Sequence, residues 1–277
     1  MKVIFSDVDG TLVTHDYILS SDNRNAIRDF KGKFVLATGR TYSDIQRLKI
    51  ECDAICSNGG EIIVNGKHVF EAFIEHEKAL SAIKYLIDNN YLFIVYASGV
   101  KYFADYLDSE IVCKELVDLS LMHSKELDEV VKGIDIYANV IYKNHQRVQD
   151  ILSVISEKNI TKIEAYNSKD KTSEVNKLKK NIDLNIFSSH ISNIEISPFD
   201  INKGNAINKF IENNVTTKDL KTYAIGDGFN DLEMFASVDF AIAMGNSPDK
   251  VKEAADLVVS NIEDGGFLEA MEFIEAN

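Results

Sequence analysis

Cysteine and proline are scarce in this sequence of 277 residues, with three and two copies, and tryptophan is absent. Cys52 and Cys56 flank a short apolar run, without a second cysteine pair or a nearby histidine cluster. A zinc site is therefore the weaker interpretation, and small buried apolar side chains are the better one. Neither internal repeats nor low-complexity segments are evident.

Long apolar runs are missing as well. No run approaches the length of a membrane span, and the charged, apolar and small-residue zones of a secretory signal do not follow Met1. We therefore expect no membrane partner and a cytoplasmic location.

Positively charged residues are also few compared with negatively charged ones. Lysine and arginine number 30 against 44 aspartates and glutamates, which gives a net charge of −14. This balance argues against a general nucleic-acid partner, and no obligate protein partner is evident. A small phosphorylated metabolite remains a possible ligand, provided that its pocket is locally positive.

Two acids follow the first apolar run of the chain. Residues 3–5 have the character of a strand buried on both faces of a parallel sheet, and Asp7 and Asp9 come directly after it. In extended backbone the two carboxylates point the same way, and their repulsion favours a divalent cation such as Mg²⁺ between them. A strand followed by an ordinary Asp/Gly turn is the alternative. A calcium loop is excluded, because Leu12 and Ile18 stand where it needs glycine and glutamate.

Polar side chains follow two further segments. Thr38, Gly39 and Arg40 end a second buried strand at 33–37, and they suit a phosphate or, alternatively, a helix cap with a solvated arginine. Lys203 lies in the first turn of a predicted helix, where the helix dipole disfavours a cation. It therefore either points into solvent or is held to bind an anion.

Residues 226–231, Gly-Asp-Gly-Phe-Asn-Asp, follow a strand at 221–225. They imitate a dinucleotide-binding fingerprint, but Asp231 replaces its third glycine and the two acids repel a pyrophosphate. A calcium loop fails too, because Leu232 occupies its glycine position. The remaining interpretation is a strand end that presents the carboxylates of Asp227 and Asp231.

The strands at both ends of the chain predict an α/β fold with a mostly parallel sheet, and the middle predicts an α+β insertion. We expect the core at 1–80 and 191–277, and the insertion at 81–190. Within the insertion, the patterns predict a strand at 134–142 and a helix at 145–158. A strand at 194–197 is expected to resume the core.

Ligands of open α/β sheets bind beyond the carboxyl ends of the strands. Acids, a lysine and a hydroxyl from separate segments are therefore expected to meet there and to form a site for a metal ion and a phosphate group. These residues are Asp7, Asp9, Thr38, Lys203, Asp227 and Asp231.

The same motifs in the same order resemble the haloacid dehalogenase (HAD) superfamily of phosphohydrolases. The loop Ser57-Asn58-Gly59, the inserted segment and the run 243–246 resemble its Cof-like branch. The resemblance implies a doubly wound HAD-like core with a cap that sets substrate specificity. It also implies hydrolysis of small phosphate monoesters, such as sugar phosphates or phosphorylated cofactors.

The resemblance further implies a role for each residue. Asp7 attacks the phosphoryl group and forms an aspartyl-phosphate, while Asp9 acts as acid and then as base. The acid role needs a protonated Asp9, which a crowded acidic neighbourhood is expected to favour. Asp7, Asp227 and the Asp9 carbonyl hold Mg²⁺, with Asp231 supporting its water shell. Thr38, the Gly39 amide, Lys203 and Asn230 hold the phosphate.

Two other functions fit the same motifs. A phosphomutase shares the fold and the nucleophile, but it must retain its phosphorylated intermediate for a second transfer. A sensor of phosphorylated ligands uses the pocket without turnover, and the intact pair Asp7 and Asp9 makes it the weaker alternative.

Overall fold

The structure is a computed structural model that describes residues 1–14, 18–142, 145–188, 191–217 and 219–277. It divides into two compact units, 1–71 with 200–277, and 72–199. The second unit therefore begins before the predicted boundary at 80/81 and ends after the predicted boundary at 190/191. Residue 190 itself is not among the described residues. The roles of core and cap stay predictions.

The first unit is built on an eight-stranded sheet in the order β14-β13-β12-β1-β2-β3-β4-β5. Its strands are β1 (Lys2–Ser6), β2 (Lys33–Ala37), β3 (Asp53–Cys56), β4 (Glu61–Val64), β5 (Lys67–Glu71), β12 (Lys221–Gly226), β13 (Phe240–Ala243) and β14 (Leu257–Val258). All neighbouring pairs are parallel except β3–β4 and β4–β5, which are antiparallel. The predicted α/β fold with a mostly parallel sheet is confirmed.

Helices cover both faces of this sheet. They are α1 (Ser21–Asp29), α2 (Tyr42–Ile45), α8 (Lys203–Asn214), α9 (Leu232–Phe235), α10 (Asp249–Lys252) and α11 (Gly266–Ala276). On β1, Ile4 faces the side of α1 and α11, whereas Val3 and Phe5 face α8. The strand is thus buried on both faces, which explains its continuous apolar run.

The second unit contains a six-stranded sheet in the order β10-β11-β9-β6-β7-β8, antiparallel except for the pair β7–β8. Its strands are β6 (Leu92–Ala97), β7 (Val100–Ala104), β8 (Gln146–Val148), β9 (Ile160–Tyr166), β10 (Asn185–Phe187) and β11 (Asn193–Ser197). Its helices are α3 (His76–Asp88), α4 (Ser109–Leu121), α5 (Leu127–Tyr142), α6 (Ile151–Ile155) and α7 (Lys171–Asn181). Alternate residues of β6 pack toward α3 or toward α4, so this sheet is also covered on two faces.

Three predictions for this unit are wrong. Residues 134–142 are part of the helix α5, because tertiary packing beside α4 overrides their β-branched pattern. The predicted helix at 145–158 contains the strand β8 and only a short helix, α6. The strand β11 pairs with β9 and β10 rather than resuming the first sheet.

Across the described part of the chain, no helix combines the length and the apolar character that a membrane span requires.

Candidate active site

Three adjacent strands end at one edge of the eight-stranded sheet. The central strand β1 pairs with β2 on one side and with β12 on the other, all parallel. Asp7 follows β1, Thr38 follows β2 and Asp227 follows β12. Because parallel strands end on the same side, side chains that are far apart in sequence meet here, where α/β folds bind ligands.

Lys203 is the fully buried cation of this edge, with 0% of its side chain exposed. Its Nζ donates to Asp7 Oδ1 and to Asp231 Oδ1, both at 2.6 Å. The interpretation in which Lys203 points into solvent is therefore wrong; two carboxylates hold the lysine, and its contact with a phosphate stays a prediction. The two carboxylates compensate for its unfavourable place in the first turn of α8.

The electrostatics of this triad are dominated by burial. Burial raises the pKa of Asp7 well above its usual value; Lys203 opposes this rise, and the Asp231 and Asp227 carboxylates add to it. Burial lowers the pKa of Lys203, but Asp231 and Asp7 more than reverse this, so its pKa lies above the ordinary value. The lysine thus stays charged beside Asp7.

Asp231 has both carboxylate oxygens occupied. Oδ1 accepts from Lys203, and Oδ2 accepts from the backbone amides of Asp227 and Gly228 at 2.9 and 2.8 Å. A Cβ at Gly226 would lie 2.6 Å from this carboxylate, so the loop closes around Asp231 only because residue 226 is glycine. This buried carboxylate supports the loop that carries Asp227.

Asp227 is held by two side chains that sequence reasoning gave no role. Its Oδ1 accepts from the Thr11 hydroxyl at 3.2 Å, and its Oδ2 accepts from the Asn246 amide at 3.1 Å. Asn246 also donates to the Gly10 carbonyl at 2.9 Å and so links this loop to the one after β1. The family-like run 243–246 was the available signal for Asn246.

One oxygen from each of Asp7, Asp227 and Asp231 lies within 4.8 Å of the others. This is an all-oxygen donor set of the kind that Mg²⁺ prefers. Asp231 accepts three hydrogen bonds, at 2.6, 2.9 and 2.8 Å. Asp227 accepts two longer ones, at 3.2 and 3.1 Å, and Asp7 accepts one from Lys203, so Asp7 and Asp227 are the carboxylates better able to hold a cation. Asp7 Oδ2 accepts no hydrogen bond within the described residues.

Asp9 is not one of the three acids whose oxygens converge, although its charge contributes to the raised pKa of Asp227. Its side chain is 47% exposed and accepts two hydrogen bonds from the Arg40 guanidinium, at 2.8 and 2.5 Å. The expectation that Asp7 and Asp9 point the same way among acids fails, because the backbone leaves the extended conformation after Asp7. The amides of Leu12 and Val13 both return to the Val8 carbonyl, and Gly10 has φ +78°.

The phosphate-binding candidates form a second group at this edge. Thr38 is buried, and its hydroxyl oxygen accepts from the Arg40 amide at 3.1 Å. Asn230 Nδ2 donates to Asn58 Oδ1 at 3.1 Å. A Cβ at Gly39 would lie 3.2 Å from the Asn58 side-chain amide. The Asn58 side chain thus lies beside Gly39 and accepts a hydrogen bond from Asn230.

Comparisons with known proteins find phosphatases that are similar to this chain over nearly its whole length. YwtE of Bacillus subtilis, a 5-amino-6-(5-phospho-D-ribitylamino)uracil phosphatase, is 31% identical over 278 residues, which cover 96% of this chain and 95% of that protein. YcsE of the same organism carries the same activity in its name and is 28% identical over 274 residues, 96% of this chain and 92% of YcsE.

Solved structures share the fold. A haloacid dehalogenase-like hydrolase from B. subtilis superposes with a TM-score of 0.80 at 22% identity, covering 98% of this chain and 99% of that one. The HAD phosphatase BT1666 from Bacteroides thetaiotaomicron gives 0.79 at 21% identity, covering 100% and 96%.

The family comparison is decisive, because the sequence model of the haloacid dehalogenase-like hydrolases matches residues 4–271. The resemblance inferred from the motifs is therefore confirmed. The chain belongs to the haloacid dehalogenase-like hydrolase family, as a phosphatase of its Cof-type branch.

Proposed function

We propose that the protein is a Mg²⁺-dependent phosphatase that hydrolyses small phosphate monoesters through an aspartyl-phosphate on Asp7. The observation that carries this proposal is the state of the Asp7 carboxylate. Lys203 fixes one of its oxygens at 2.6 Å, while the other accepts no hydrogen bond within the described residues. A carboxylate that is held in place with one oxygen uncommitted is suited to nucleophilic attack.

The reaction has two steps. In the first, Asp7 Oδ2 forms a bond to phosphorus while the bond to the leaving oxygen breaks, and Asp9 donates a proton to that oxygen. In the second, water attacks phosphorus, the bond to Asp7 breaks, and Asp9 takes the proton of the water. Lys203, Thr38, the Gly39 amide and Asn230 bind the phosphoryl oxygens.

Mg²⁺, held by Asp7, Asp227 and the Asp9 carbonyl, would supply positive charge between the anionic nucleophile and the anionic phosphate. Asp231 would act through the Asp227 loop and the water around the ion. The carboxylate oxygens of Asp7 and Asp227, which lie within 4.8 Å of each other, are donors of the kind that fits this ion.

We assign substrate choice to the second unit, residues 72–199. Sugar phosphates and phosphorylated cofactors are the proposed substrates, and the named activity of YwtE, on a phosphorylated ribitylamino-uracil, supports a metabolite of this size. A cytoplasmic location is part of this proposal, because no apolar run approaches the length of a membrane span.

A panel of sugar phosphates, nucleotides and phosphorylated cofactors, assayed with Mg²⁺ and with EDTA, tests the proposed function. We expect phosphate release that requires the metal and differs in rate between the esters. Release that is equal with EDTA would contradict the metal dependence. No release from any ester would contradict phosphatase activity on these substrates.

The Asp9→Asn variant is expected to turn over roughly 10²–10⁴-fold more slowly, the usual range for a lost general acid–base group. The loss should be largest for esters with a poor leaving group, since these depend most on a proton. Steady-state rates for an alkyl and a nitrophenyl ester measure this difference. Because Asp9 is half exposed, the thermal midpoint of unfolding should change little. If the variant hydrolysed the alkyl ester as fast as the wild type does, the acid role would be refuted.

Mg²⁺ affinity is expected to rise with pH through about 6, where Asp227 loses its proton. Burial, and next the Asp231 charge, raises the pKa of Asp227 to about 6. Below that pH a proton competes with the cation for the carboxylate. The folded state also holds this proton more tightly than the unfolded chain, so the metal-free protein should lose stability as the pH rises from about 4 to about 6.

Calorimetric titration of Mg²⁺ across this pH range measures the effect. Asp227→Asn serves as the matched variant and should bind the ion weakly without the same pH dependence. A wild-type affinity that is constant with pH would show that Asp227 is not a ligand.

A further inference from the structure

Residues 57–59 hold an unusual backbone conformation. The φ angles of Ser57, Asn58 and Gly59 are +53°, +53° and +105°. The left-handed region is unfavourable for serine and, to a lesser degree, for asparagine. Such conformations persist only where the surroundings enforce them, and they concentrate at functional sites.

Backbone contacts enforce this conformation from the side of β2. The Ser57 amide donates to the Arg40 carbonyl at 2.8 Å, and the Asn58 amide donates to the Thr38 carbonyl at 2.9 Å. The Ser57 hydroxyl donates to Glu61 at 2.6 Å. The loop is therefore fastened to the segment that carries the Thr38 hydroxyl and the Gly39 amide.

The same loop packs against the start of α8. A Cβ at Gly59 would lie 2.4 Å from the carbonyl oxygen of Asn202, the residue that caps this helix. Lys203 follows directly. The strained loop thus contacts two of the elements that contribute to the proposed phosphate site.

The Asn58 side chain contacts a third element of the proposed phosphate site, the loop after β12 that carries Asn230. It is buried, and its Oδ1 accepts one N–H of the Asn230 amide at 3.1 Å. The Asn230 Oδ1 lies on the other side, 2.5 Å from where a Gly228 Cβ would be. The missing Cβ of Gly228 leaves room for this orientation of the Asn230 amide, and the hydrogen bond to Asn58 holds it. The second N–H of the amide is then left for an anion.

We propose that Asn58 is a positioning residue for phosphate binding, which orients the Asn230 amide toward the phosphoryl group. This inference rests on the proposed function, because it assumes that Asn230 contacts the phosphate. The left-handed backbone at residue 58 is what brings the side chain to Asn230. The loop 57–59 therefore serves to align the phosphate contacts of separate elements.

Asn58→Gly removes the side chain but keeps the backbone conformation, since glycine accepts a positive φ. The variant therefore tests the side chain alone. We expect the inhibition constant of inorganic phosphate and KM to rise by about 3- to 10-fold, the effect of one lost hydrogen bond, with a smaller change in kcat. Asn58→Asp keeps the acceptor for Asn230 but adds a negative charge, and it should weaken phosphate binding more than glycine does. Asn65→Gly, also at a positive φ (+51°) but in the β4–β5 turn, is the matched control and should leave both constants unchanged.

A double-mutant cycle distinguishes positioning from a merely structural role. If Asn58 acts through Asn230, Asn58→Gly should add little to the loss in Asn230→Ala; additive losses would overturn the inference. Unchanged phosphate inhibition in both Asn58 variants would also overturn it while leaving the proposed function intact. A wild-type protein that neither hydrolyses esters nor binds phosphate would overturn both.

Discussion

Asp7→Asn is expected to remove essentially all turnover while leaving the fold intact. An amide in place of the carboxylate lacks the nucleophilic oxygen and the charge that would hold the metal. Lys203 keeps Asp231 as a partner at 2.6 Å, so its charge is not left unpaired. Phosphate release under saturating substrate, with a thermal melt beside it, measures both effects.

Asp29→Asn provides a matched control for the same chemical change. Asp29 is exposed and pairs with its neighbour Arg28, and it should retain wild-type turnover. Turnover by Asp7→Asn close to that of wild type would show that the nucleophile is another residue.

Lys203→Met is expected to have the largest effect on stability. It leaves Asp7 and Asp231 buried beside each other without their cation, and removal of one partner from a buried ion pair costs about 3–5 kcal/mol. Activity should fall as well, since Asp7 loses the group that holds it. The free energy of unfolding from denaturant titration measures the loss.

The loss in Lys203→Met should shrink on acidification. Burial already raises the pKa of Asp7 in the wild type, and removal of the lysine raises it further, so the folded variant binds a proton that neutralises the site. Lys209→Met, at an exposed position of the same helix, should cost no more than about 1 kcal/mol, the value of its cation–π contact with Phe70. A Lys203 variant as stable as the Lys209 variant would contradict the account of the buried triad.

The residues of the candidate site were predictable from sequence where they directly follow a buried strand. The acids after β1 and β12 and the hydroxyl after β2 needed only the rule that parallel strands share one ligand-binding edge. The position of the Asp9 side chain was not predictable, because the chain bends at Val8, between the two acids, and Asp9 pairs with Arg40. The partners of Asn58 and Asn246 lie far away in sequence, and only folding reveals them.

The second unit shows the limits of periodicity. Residues 134–142 have the β-branched pattern of a strand, yet they pack as helix α5 beside α4. The helix α7 was missed because its sequence, KTSEVNKLKKN, is almost entirely polar. The apolar run of β11 indicates a buried strand but not which of two sheets it joins, and this moved the predicted boundary.

Chemical trapping of the phosphorylated enzyme tests the central claim most directly. A ³²P-labelled ester is mixed with enzyme and Mg²⁺, quenched in acid, and the label is located on the digested chain. Because loss of the Asp9 base slows hydrolysis of the intermediate, Asp9→Asn should accumulate more label with a good leaving group. The account predicts label on the peptide that contains Asp7 and none in Asp7→Asn; metal-dependent phosphate release without any labelled Asp7 peptide would contradict it.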